Sequence, residues 1–140
     1  MSIPFYIPYE DLAVGQTAWL SVTITEEMVN QFSALIGDTG SFHVSDEAAA
    51  ATDFGERIVH GVHLLAYVSV AIGQKLPGFG TVYCSHTFDF QNPVYLGDTV
   101  TVTIRLLEKL SHHRLRLDTE ISRGDGAPVM RGSAVVKTYR

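Results

Sequence analysis

Between residues 61 and 74 the chain reads GVHLLAYVSVAIGQ, and on a helix Val62, Leu64, Leu65, Ala66, Val68, Val70, Ala71 and Ile72 cover almost the whole circumference. A helix that is apolar all round is buried, because it has no face to offer to water. Any fold for this chain must therefore wrap this segment. His63 and Ser69 interrupt the apolar run, and it falls short of the ~20 residues a membrane span needs, so a membrane crossing is not expected. Leu76-Pro77-Gly78 ends the helix with a clear break.

The residues after the helix can do the wrapping. Val82, Cys84, His86, Phe88 and Phe90 alternate with Thr81, Tyr83, Ser85, Thr87 and Asp89, the period of two of a strand. Val100, Val102, Ile104 and Leu106 repeat the pattern, as do Leu115, Leu117 and Ile121, then Met130, Ala134 and Val136. Asn92-Pro93, Gly97-Asp98 and Gly124-Asp125-Gly126 supply turns between them. Ahead of the helix, residues 1–17 read as an extended lead-in, and Ala18, Leu20, Val22 and Ile24 as a first strand with Trp19 on its other face. Thr25 can cap a short helix whose apolar stripe is Met28, Val29, Phe32, Leu35 and Ile36, with Gly37 as its left-handed stop. Ser45 can cap a second that runs through Ala48 to Ala51 and closes at Thr52-Asp53-Phe54-Gly55. The order predicts an α+β chain, one domain over 1–140, with a curved antiparallel sheet around one long buried helix. Such a sheet leaves edges that pairing across a two-fold axis would remove, so a homodimer or higher homo-oligomer is expected.

Ten Lys and Arg against fifteen Asp and Glu give a formal charge of −5, which speaks against nucleic acid or anionic membrane as partner. Cys84 is the single cysteine, so no intramolecular disulfide can form and a cytoplasmic setting is the default; it reads as a small core residue. The N-terminus shows no basic segment followed by an apolar run, so no signal peptide is expected.

Two proton-handling groups, Asp38 and His43, stand five positions apart across a glycine-bearing turn, framed by Phe42 and Ile36. Taken alone, Asp38 reads as a turn residue bonding its own backbone and His43 as a satisfied polar side chain. As a pair in a cleft they could exchange protons with a substrate. Gly61 opens the apolar helix, where an amide free of Cβ would suit an oxyanion, although close packing would equally call for glycine. Ser69 lies two turns further along and lacks a nucleophile's surroundings. His112-His113 reads as a solvated turn and His86 as a satisfied core histidine; no zinc spacing is present, so no metal is expected, nor a phosphate-binding glycine loop or other cofactor.

The text Phe32-x-x-Leu35-x-Gly37-Asp38-x-x-x-x-His43, then Phe54-Gly55-Glu56-Arg57-x-Val59-His60-Gly61, Leu76-Pro77-Gly78-x-Gly80 and Pro93-Val94-x-x-Gly97-Asp98 resembles the MaoC-like, (R)-specific enoyl-CoA hydratases of the hot-dog fold, from about Leu12 to the end. The resemblance implies hydration of a trans-2-enoyl-CoA, or the reverse dehydration, with Asp38 and His43 activating a water and the Gly61 amide holding the thioester oxygen. It further implies that Ser69, with His60, Leu65 and Phe42, shapes the acyl-thioester site. Lys75 and Arg57 are the basic candidates for CoA phosphates. The family usually reads Asn-Pro where this chain has Gly40-Ser41, which predicts a freer loop here. A hot-dog thioesterase and a non-catalytic acyl-thioester binding domain are the competing expectations.

Overall fold

A computed structural model describes residues 2–140. The elements come in the order β1 (Thr17–Thr23), α1 (Glu26–Ile36), α2 (Asp46–Ala50), α3 (Gly61–Gln74), β2 (Thr81–Phe90), β3 (Thr99–Lys109), β4 (Arg114–Arg123) and β5 (Pro128–Thr138). The lead-in contains one short 3-10 turn, Tyr9–Asp11, that the composition of 1–17 does not announce. All strand pairs are antiparallel, in the order β1-β3-β4-β5-β2, so β1 and β2 are the edges.

Alternation sorts the strand side chains as the sequence suggests. Val100, Val102, Ile104, Leu106, Leu115, Leu117, Ile121, Met130, Ala134 and Val136 are fully buried on one face, and Leu64, Val68, Ala71 and Ile72 of α3 join them in the core. Thr119 is the polar member of that inward row, and it is satisfied by His86 Nε2 at 2.8 Å. His86 is thus the hydrogen-bonded histidine expected of it.

Three expectations need correction. The sheet covers only one side of α3: Val62 is 59% exposed and Val70 38%, with Ala66 and Ser69 exposed between them, because one copy of the chain has a single sheet and the far side of the helix meets nothing. Cys84 is exposed, not a core residue, since it lies at a register shift on the edge strand β2 where alternation breaks. On α1 the buried seam is Val29 and Ser33 with Met28 and Phe32 beside it, while Leu35 and Ile36 in the last turn project past that seam into solvent. Ile36 therefore does not frame Asp38. Among the described residues no helix is long and apolar enough to cross a membrane.

Candidate active site

The placement of Asp38 begins with the stop of α1. Thr25 Oγ1 accepts the Met28 N–H at 3.2 Å and starts the helix; Gly37 ends it at φ 81°, a left-handed value that L side chains rarely adopt. The Gly37 and Asp38 N–H groups then donate back to the carbonyls of Ala34 and Ser33, at 3.4 and 2.9 Å, so the backbone of Asp38 is fixed by the helix that precedes it. Its carboxylate Oδ2 accepts from two donors, His60 Nε2 at 2.6 Å and Ser41 Oγ at 2.9 Å. The His60 bond first, then the Ser41 bond, lower the Asp38 pKa below its ordinary value, against a smaller opposing effect of desolvation.

His43 is held from two sides. Its Nδ1 lies 2.7 Å from the Ile58 carbonyl, which can only accept, so the hydrogen-bond network assigns the proton to Nδ1 and leaves Nε2 with a free lone pair. Its backbone carbonyl accepts from Arg57 Nε at 2.8 Å. The rest of that guanidinium donates to Glu26 Oε1 at 2.9 Å and Asn30 Oδ1 at 2.6 Å, both on α1. Arg57 is only 5% exposed and clamps the His43 loop to α1, so it is not available to CoA phosphates.

His60 brings the two halves together. It is buried, its ring stacks on His43 with centroids 3.9 Å apart, and Phe32 packs against it at a tilt with centroids 5.2 Å apart. Its Nε2 carries the proton donated to Asp38, since a carboxylate only accepts, and its Nδ1 is buried without a partner. Gly61 is next, at the N-terminus of α3, with no acceptor for its N–H among the described residues. A Cβ added to Gly61 would stand 2.7 Å from Cζ of Phe90, so close packing alone favours glycine here, and its amide is left without an acceptor. Beside it opens a cavity of about 470 Å³ lined by His43, His60, Gly61 and the apolar Phe54, Val62, Leu64 and Phe90.

The chain thus brings His43, His60 and Gly61 to one cavity, with Asp38 outside its lining but bonded to His60. Phe42 packs against the His43 ring at 4.5 Å, outside the cavity lining. Leu65 lines a separate recess of about 270 Å³ with Tyr83, Cys84, Ser85, His86 and Phe88. Ser69 lies on the open side of α3, away from both. The sequence reading overlooked Ser41, whose signal was a serine two residues ahead of a candidate histidine, and undervalued His60, whose coupling to Asp38 spans 22 positions. One ligand-capable atom from each of Asp38, His43 and His60 lies within 4.8 Å of the others, a donor set a divalent ion can use. As placed, the Asp38 and His60 members of the set are bonded to each other at 2.6 Å.

The sequence pattern of the family described as "MaoC like domain" matches residues 13–122. The chain is 40% identical over 130 residues to the 3-hydroxybutyryl-CoA dehydratase of Methylorubrum extorquens, spanning 92% of this chain and 82% of that one. It is 36% identical over 129 residues to the (R)-specific enoyl-CoA hydratase of Aeromonas caviae, spanning 91% and 96%. Among solved structures, the unliganded R-hydratase of Pseudomonas aeruginosa aligns with a TM-score of 0.89 at 40% identity, over 95% of this chain and 86% of that one. Five antiparallel strands packed on one long helix are the hot-dog fold, and the chain belongs to the MaoC-like domain family.

Proposed function

We propose that the protein adds water to a trans-2-enoyl-CoA to give the (R)-3-hydroxyacyl-CoA, and catalyses the reverse dehydration. The observation that carries this reading is that His43 and the free Gly61 amide line one largely apolar cavity, with an Asp38 carboxylate oxygen within 4.8 Å of a His43 ring nitrogen. With Oδ2 of Asp38 occupied by two donors, Oδ1 is the oxygen left to accept from a water; His43 Nε2 is the second acceptor. A water held by both has a lone pair left for C3 of the substrate. As its oxygen bonds to C3, the C2=C3 electron pair moves toward the thioester carbonyl, and the charge on that oxygen meets the Gly61 N–H and the positive end of α3. The Asp38–His43 pair takes the water's proton and returns it to C2, so one H and one OH are added and nothing else is consumed.

The relatives named as a 3-hydroxybutyryl-CoA dehydratase and (R)-specific enoyl-CoA hydratases support a CoA thioester as substrate. The open side of α3 beside the edge strand β2 supports a second copy of the chain as partner. An exposed free thiol at Cys84 is compatible with a reducing compartment such as the cytoplasm. The test is purified protein with crotonyl-CoA: the enoyl absorbance falls, no free thiol appears, and the product is the (R)-alcohol on a chiral column. Release of thiol would make it a thioesterase, and thermal stabilisation by the ligand without turnover would make it a binding domain.

A further inference from the structure

The loop between Asp38 and His43 carries Gly40-Ser41, and the two residues do different things. A Cβ at Gly40 would meet nothing within 4 Å, and its φ lies outside the left-handed region, so nothing in the structure requires glycine there. Ser41 makes two directed bonds. A carboxylate only accepts, so the hydroxyl donates its proton to Asp38 Oδ2, 2.9 Å away. Its oxygen then accepts the backbone N–H of His43 at 3.1 Å. The series runs from His43 N–H to Ser41 Oγ–H to Asp38 Oδ2, one chain of hydrogen bonds joining the backbone of one reacting residue to the side chain of the other. The loop is tied by polar contacts where a proline would have stiffened it by its ring.

We propose that Ser41 is a positioning residue for the hydration step, its hydroxyl fixing the rotation of the Asp38 carboxylate and so the distance of its free oxygen from the His43 ring. This rests on the function proposed above. Without the hydroxyl, His60 alone holds Oδ2, and a single bond leaves the carboxylate free to turn about it. Both acceptors must address the same water, so a loose carboxylate slows the chemical step while leaving the cavity that binds the acyl thioester unchanged. Ser41 also contributes to keeping Asp38 ionised, so its loss moves the acid limb of the rate profile to higher pH.

The experiment compares the full chain with Ser41→Ala, Ser41→Cys, Ser41→Thr and Gly40→Ala. It uses crotonyl-CoA as probe and follows the Asp38 carboxyl carbon by NMR titration, its signal assigned by its absence in Asp38→Asn. Ser41→Ala is expected to lower kcat about tenfold with KM within about twofold. It also moves both the acid limb and the carboxyl midpoint to higher pH. Ser41→Cys, similar in size but a poor donor, moves them the same way. Ser41→Thr restores both, and Gly40→Ala matches the unmodified chain. The proposal is overturned by a Ser41→Ala protein with an unchanged carboxyl midpoint, or by Ser41→Thr as impaired as Ser41→Ala. Should the unmodified chain leave crotonyl-CoA untouched, the hydratase reading fails separately, and the carboxyl midpoints still decide whether Ser41 holds Asp38.

Discussion

A carboxylate that receives donors from His60 and Ser41 is tuned to stay ionised, and that fixes the pH behaviour of the site. Activity requires the charged form, so the part of the acid limb that Asp38 controls, followed by its carboxyl midpoint, is expected below the ordinary carboxylate range; a carboxyl midpoint at or above that range would contradict the geometry. Asp38→Asn keeps the volume but removes the charge and one acceptor, and turnover is expected to drop by ~10²-fold or more with the far-UV spectrum unchanged. Gly61→Ala drives a methyl to 2.7 Å from Phe90, so either the ring that lines the cavity shifts or the amide moves. Either response is expected to lower kcat/KM by ~10-fold or more, measured with crotonyl-CoA. At this scale Asp38, His43 and Gly61 were legible because each sits beside a local signal: a helix stop, a turn, a helix start. The bond that matters most, His60 to Asp38, was not, because it joins two loops brought together only by the fold.

At the scale of elements, periodicity carried the reading well. The four strands after α3 and the helix caps at Thr25 and Ser45 lie where alternation and capping chemistry put them. Alternation failed where a bulge resets it, between Tyr83 and Ser85 on β2 and between Leu106 and Glu108 on β3, which is why Cys84 was assigned to the core and the far end of β3 was missed. Arg57 shows a different limit. Nothing local distinguishes a buried arginine from a solvated one, yet this side chain ties Glu26 and Asn30 of α1 to the His43 carbonyl. Arg57→Ala would leave that carbonyl and Asn30 without their donor, and a loss of about 3 kcal/mol in urea unfolding is expected. Arg57→Lys should recover little of it, since one ammonium cannot reproduce three bonds in a planar fork. Packed between α1 and α3, His63 adds a pH-dependent element. Burial first, then the charge of His60, lowers its pKa below the ordinary 6.5, so the unfolded chain binds the proton more readily. Stability is thus expected to decline as pH falls below about 6.5 towards the depressed folded value and to lose part of that slope in His63→Phe, whose ring can still stack on Phe32.

The whole molecule explains what a single chain leaves unfinished. Wrapping the apolar helix was the strongest constraint in the sequence, and one sheet meets it on one side only. Val62 and Val70 of α3 stay exposed, as do Val82, Tyr83 and Phe90 of the neighbouring strand β2. The recess bounded by Leu65 and that strand is open along the same edge. An apolar strip running from helix to unpaired strand is an association surface, and a strand edge self-pairs most simply across a two-fold axis. A dimer joined at β2 would cover this strip and also wall the cavity beside Phe90, so assembly and catalysis should fail together. Sedimentation equilibrium is expected to give twice the mass of one chain at micromolar concentration. Val82→Lys puts a charge on the strip without touching Asp38, His43 or Gly61, and it should shift the equilibrium to single chains, make Tm strongly dependent on protein concentration, and lower turnover in proportion to the dimer lost. A Val82→Lys protein that remains dimeric would move the interface elsewhere. A monomer with undiminished turnover would show that the site at the start of α3 is complete within one chain.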